Sequence, residues 1–270
     1  MEGTINRANM TGVHRSSLAT IAAVTVTAYA LCDLVHEVLG HALAALLVPG
    51  VRIVSLSTVA LQTTGSSRTV AAAGTIANLV AGAVALAAFH GRTRLSPSAY
   101  FLWLFGALNL LNGSGYPLYS AILGSGDWAA VVRGLQPAVM WRVALAIIGV
   151  GTYAAVVVLS ANALARAVEK ELVALPDVPR LAFPAYIIGG AFLLLASAFN
   201  PISPTLILTS GLASGFGAMA GLTAIPAIVE RRVSGDQKGG AVISPSTGWV
   251  ATGLVVGVMF VGVVGPGIRF

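Results

Sequence analysis

Seven long stretches of this chain carry almost no charge, and they dictate what it can become. They cover roughly residues 18–48, 68–89, 98–113, 138–165, 182–199, 204–229 and 247–268. A helix crosses the hydrocarbon of a bilayer with about 20 apolar residues. Only 9% of the 270 residues are charged, against about 25% in a soluble domain. Backbone amides find no partner in hydrocarbon, so spanning segments must be helices or a closed barrel. These runs are continuously apolar rather than alternating, which selects helices. The expectation is an all-α polytopic, multi-pass integral membrane protein in a lipid bilayer, with about six to seven transmembrane helices. The first segment is too long for one upright span, so it must tilt, break or extend past the membrane. The third and fifth are short and open to being partly re-entrant.

Between these runs the chain changes character. Residues 1–17 form a polar leader. Residues 51–66, VRIVSLSTVALQTTGS, are rich in Val, Ser and Thr and end at a Gly-Ser turn. They read as a short strand or hairpin at the membrane surface, after the first helix. With the N-terminus inside and seven crossings, ten Lys and Arg fall inside and five outside, which favours that orientation. The net charge of +6 is spread over loops and gives no sign of nucleic-acid binding. Cys32, the single cysteine, reads as apolar packing. In GLASGFGAMAG, Gly211 and Gly215, then Gly217 and Gly221, are spaced by four, a close-packing face for another helix. That helix belongs to the same chain or to a second copy in a homo-oligomer.

The acids are sparse enough to be informative. Before Glu169 the chain has only Glu2, Asp33, Glu37 and Asp127. Two of these flank His36 inside an apolar run, and ionisable groups at membrane depth usually mark a site or a pathway. The stretch HEVLGH, residues 36–41, resembles the HExxH zinc helix with its second histidine one residue late. An α-helix turns about 100° per residue, so residues five apart diverge by about 140°. The stripe that aligns on an undistorted helix is Asp33, Glu37 and His41. A π-bulge absorbs one extra residue and favours functional sites, and Gly40 beside it lowers the cost of the distortion. HEVLGH is therefore expected to be a bulged zinc-binding turn that brings His36 and His41 to one face.

The same residues resemble the membrane-embedded zinc metallopeptidases of the site-2 protease family. HEVLGHALAALLVPGVRI is similar to that family's HExGH helix and the short strand after it. VAAAGTIANLVAGAVALAAF resembles its Ala-Gly-Pro-x-x-Asn stretch, with Thr75 in the proline place and Asn78 in the asparagine place. FGALNLLNGSGYPLYSAILGSGDW resembles the later motif, where Asn and Pro precede an Asp-Gly bearing the third zinc ligand. Here Trp128 follows Asp127, and Asp127 lies ten residues beyond Pro117. The resemblance implies a metallopeptidase-like core over 18–135, with 136–270 as additional transmembrane helices. It implies His36, His41 and Asp127 as ligands of Zn2+ and Glu37 as general base. It sets Asn78 and Asn112, or Asn109, at the substrate.

The function implied is metal-assisted hydrolysis of peptide bonds in membrane-protein or peptide substrates. A zinc held by three protein ligands keeps a fourth position for water and lowers its pKa to about 7. Strand 51–66 offers an edge for an extended substrate. Two alternatives stand beside it. One is a catalytically inactive relative acting as a membrane binding protein. The other is a proton or cation carrier using the Asp33, Glu37 and His41 stripe. If the first span runs outward, HEVLGH and Asp127 fall on the same side of the membrane.

Overall fold

The computed structural model describes residues 15–233 and 240–270; most of the polar leader, His14 included, lies outside them. All seven apolar segments are helices, so the fold is the expected all-α polytopic one. The order is α1 (Leu18–Leu47), β1 (Arg52–Ser57), β2 (Ala60–Thr64), α2 (Arg68–His90), α3 (Pro97–Leu123) and the short α4 (Asp127–Val132). Then follow α5 (Ala138–Glu169), α6 (Leu175–Ser197), α7 (Ile207–Arg232), α8 (Thr247–Val264) and β3 (Ile268–Arg269). Helices α1, α2, α5, α6, α7 and α8 are each long and apolar enough to cross a membrane. Large apolar side chains such as Val139, Ile147, Leu254 and Val258 stand exposed along α5 and α8. A surface of this kind suits hydrocarbon rather than water.

The helix starts share one local device. Ser17, Ser67, Ser96 and Ser246 each accept a hydrogen bond from the amide three residues on, that of Thr20, Val70, Ala99 and Trp249. Such N-caps satisfy orphan backbone donors where the chain enters each helix. Inside the bundle, Trp103 donates its indole N–H to the Ser160 carbonyl at 3.1 Å, and Tyr100 donates to the Leu181 carbonyl at 2.8 Å. Trp103 and Tyr100 are thus buried with their polar ends paired.

Two boundaries differ from expectation. The third segment is a single helix through Leu123, roughly 40 Å long, rather than a short or re-entrant piece. Its later half holds Ser114, Tyr116, Pro117 and Ser120, which dilute the hydropathy; Ser114, Pro117 and Ser120 face inward and are buried. The fifth segment is also one continuous helix. The seventh stops at Val264, because Gly265, Pro266 and Gly267 make a turn, with Gly267 at φ 85°. The last residues then pair with the hairpin.

That pairing gives a three-stranded antiparallel sheet in the order β2-β1-β3. Ser57 opposes Ala60, so Thr58 and Val59 form the hairpin turn, and Ser55 opposes Arg269. The outer edge of β2 pairs with no strand among the described residues. The sheet joins the end of the first long helix to the end of the last. The alternating direction of the helices gathers the ends of α1, α3, α6 and α8 at this pole. The small-residue pattern of α7 packs within the chain: Gly211 lies against Ser197, Gly215 against Gly190, and Gly221 against Val157 and Leu111. Gly217 meets nothing.

Candidate metal centre

The HEVLGH stretch is a π-helical turn. Residues Val35–Ala42 wind with the wider pitch, between α-helical Leu18–Leu34 and Leu43–Leu47. The extra residue is absorbed, and the two imidazoles meet: His36 Nε2 and His41 Nε2 are 3.1 Å apart. Gly40 has a second task that the spacing did not reveal. It faces Gly74 of α2, and a side chain on Gly40 would collide with the Gly74 backbone. A side chain on Gly74 would strike the histidines, 2.6 Å from His41 Nε2 and 2.8 Å from His36 Nε2. The two glycines let α2 cross directly behind the π-turn.

Asp127 completes the group. Gly124 ends α3 in the left-handed region at φ 65°, and Gly126 at φ 82° turns the chain into α4. This reversal brings Asp127, the first residue of α4, back over the end of α1. Its Oδ2 lies 3.1 Å from His36 Nε2 and 3.2 Å from His41 Nε2. Arginines clamp the loop on both sides. Arg142 donates to the Ala121 and Ile122 carbonyls at the end of α3, and Arg68 donates to the Arg133 carbonyl beyond α4.

The imidazole tautomers follow from their other nitrogens. His41 Nδ1 lies 2.7 Å from the Val70 carbonyl, which only accepts, so Nδ1 carries the proton. His36 Nδ1 lies 2.6 Å from Asn78 Oδ1. The Asn78 amide cannot be flipped, because its Nδ2 donates to the Cys32 carbonyl at 3.1 Å and to Asn109 Oδ1 at 2.7 Å. Asn109 is fixed in turn by donating to the Phe105 carbonyl at 2.8 Å. His36 Nδ1 is therefore also a donor, so in the neutral imidazoles both Nε2 atoms turn lone pairs toward a carboxylate oxygen. Three lone pairs converging in a buried place repel unless a cation sits among them.

The distances fit a metal. Atoms about 2.0–2.1 Å from one tetrahedral centre are spaced about 3.3 Å apart, close to the 3.1–3.2 Å triangle here. His36, His41 and Asp127 are the group of potential metal-binding residues found among those described. The amide and carbonyl behind each imidazole supply the outer contacts that orient metal-binding histidines.

The remaining expected residues divide. Glu37 is buried beside the triangle and lines a cleft of about 400 Å³ shared with His41 and Asp127. Asn78, expected at the substrate, instead stands behind His36. Its oxygen accepts from His36 and Asn112, and its nitrogen donates twice, so its four polar positions are filled. Asn112 donates to Asn78 at 3.2 Å but leaves Oδ1 unpaired, and it lines two cavities beside the site. Of the carrier stripe, Asp33 and Glu37 line an inner cavity, and Glu37 and His41 line the outer cleft.

Several site residues escaped the sequence reading. Tyr116 stacks on His36, with ring centroids 4.8 Å apart at 19°. Tyr119 bonds the Thr209 carbonyl, and Ser210 donates to the Val59 carbonyl at 3.1 Å. Leu206, Thr209 and Ser210 thus make α7 and the loop before it a wall of the cleft. The 136–270 region is part of the site's enclosure, not only an appendage. The two positions that depart from the resembled pattern touch one another: Trp128 Nε1 donates to Thr75 Oγ1 at 3.1 Å. That bond ties the residue after Asp127 to the helix behind the histidines.

Compared with protein-family models, curated proteins and solved structures, the chain matches none. The resemblance rests on the motif residues themselves.

Proposed function

We propose that the chain is a membrane-embedded metallohydrolase that cuts peptide bonds of membrane-associated protein or peptide substrates, with zinc as its metal. The observation that carries this reading is the convergence of His36 Nε2, His41 Nε2 and Asp127 Oδ2 within 3.2 Å, with the Glu37 carboxylate beside them. Asn78 and Val70 hold the imidazoles in the tautomer that binds a metal. Bound zinc would supply Lewis-acid activation of water and of the scissile carbonyl.

The other parts of the reaction fall to the chain. Glu37 takes the proton from the attacking water and passes it to the leaving amine. The free edge of β2 borders the cleft through Ala60, Leu61 and Thr63. An unwound substrate segment adds there as a further strand. Tyr116 and Tyr119, with α7 opposite, narrow the cleft around that strand.

The test is metal content and cleavage measured together on purified protein. Wild type should carry about one zinc per chain, and His36→Ala, His41→Ala and Asp127→Ala should lose it. Glu37→Gln should keep zinc and lose cleavage of a transmembrane substrate. Wild-type cleavage by Glu37→Gln, or wild-type protein without metal, overturns the reading. Metal retained with no cleavage of any substrate favours a non-cutting binding protein instead.

A further inference from the structure

Next to Glu37 lies a second and much smaller space of about 20 Å³. Its walls come from α1, the hairpin turn, α3, α6 and α7. Eleven buried side-chain polar atoms lack a hydrogen-bond partner among the described residues, and five of them belong to residues lining this one space. They are Tyr29 Oη, Asp33 Oδ2, Glu37 Oε2, Thr58 Oγ1 and Asn112 Oδ1. Tyr29, Glu37, Thr58 and Asn112 are each more than nine-tenths buried. His36, Tyr116, Ser210 and Ser214 also line it, and Leu193 and Met219 add apolar atoms.

Orphaned polar groups are rare in folded proteins, and five around one small space share a cause. Three of these atoms only accept hydrogen bonds, and the two hydroxyls both donate and accept. A water needs about 10–15 Å³ and makes about three hydrogen bonds, so one or two waters fit the volume and satisfy the set. We propose that this inner chamber holds ordered water and supplies the water consumed in hydrolysis while substrate covers the outer cleft. Glu37, together with Tyr116 and Ser210, lines both spaces.

The supply role rests on the hydrolase reading; the chamber's water does not. Each turnover consumes one water: its oxygen bonds the carbonyl carbon, the carbon–nitrogen bond breaks, and the amine leaves with a proton. With a strand laid along β2, Glu37 receives the next water from the chamber. Asp33, Tyr29, Thr58 and Asn112 hold that water next to Glu37.

Radiolytic hydroxyl labelling of the zinc-loaded protein in 18O water tests the chamber directly. Tyr29 and Tyr100 are both 1% exposed, but only Tyr29 lines the chamber; Tyr100 is bonded to a protein carbonyl. Tyr29 should label several-fold faster than Tyr100. Equal rates, or a bound cation in the chamber, overturn the proposal. Asp33→Leu should slow Tyr29 to the Tyr100 rate and slow cleavage with zinc retained, whereas Asp33→Asn should keep both fast. A dry Asp33→Leu chamber with wild-type cleavage overturns the supply role. Fast Tyr29 labelling in a protein that cuts nothing leaves the chamber's water standing and removes the hydrolase reading, with the supply role.

Discussion

Replacing Gly74 with alanine tests the packing behind the metal centre without touching a ligand. A Cβ at this position falls 2.6 Å from His41 Nε2, 2.7 Å from His36 Cε1 and 2.8 Å from His36 Nε2. Ordinary contact between such atoms begins near 3.5 Å, so the imidazoles or the helix must move by about 0.7–0.9 Å. Metal–ligand distances tolerate about 0.2 Å. The displacement exceeds that tolerance several-fold for both histidines together. Changes beside metal ligands typically cost about 10–100-fold in affinity, equivalent to about 1.4–2.7 kcal/mol, and this one should lie at or above the upper end. Folding should suffer less, because alanine in a helix is favoured over glycine by about 1 kcal/mol, which offsets part of the crowding. The control is Gly151→Ala in α5, where an added Cβ meets nothing within 4 Å. The assay is zinc affinity by chelator competition in detergent, with thermal unfolding of the metal-free proteins alongside. If Gly74→Ala binds zinc as wild type does, α2 is not seated against the histidines as described.

Three other outcomes follow from the site. Asn78→Ala frees the His36 Nδ1 proton from its acceptor and should weaken zinc binding by about 10–100-fold; an unchanged affinity would mean the amide chain does not set the tautomer. Thr75→Val and Trp128→Phe should each loosen α4, and a double-mutant cycle on unfolding should return a coupling of about 0.5–1.5 kcal/mol; additive effects would deny the hydrogen bond. Zinc should also leave on acidification. Protons compete with zinc for both Nε2 atoms, so affinity should fall as pH falls, by up to about 100-fold per unit. Zinc retained unchanged at low pH in an equilibrium titration would exclude histidine ligation.

The apolar segments were readable because the signal is local. Runs without charge need internally bonded helices wherever they lie in the chain, and the ends at 18 and 68 follow directly from serine caps. The hairpin was readable from the same short-range cues. The third helix was underread since Ser114, Tyr116 and Ser120 look like a loop by hydropathy, although Ser114 and Ser120 point into the bundle. Strand β3 was invisible, because two residues form it only where β1 offers them an edge. In the site, HEVLGH announced a pair of histidines that could hold a metal and its need for a distorted turn. Gly74, Tyr116 and the Asn109–Asn78–His36 chain did not announce themselves. Each acts on residues about 30–80 positions away, and no spacing rule links them.

By itself, then, the order of residues determined where helices form and that His36 and His41 need one extra residue taken up between them, since both depend on neighbours within a turn or two. Only the packed structure decided that the turn is taken up where Gly40 meets Gly74, that Asp127 returns over it, and that buried amides aim the lone pairs. Those outcomes are contacts between distant segments, and such contacts exist only once the helices exclude lipid and solvent from one another.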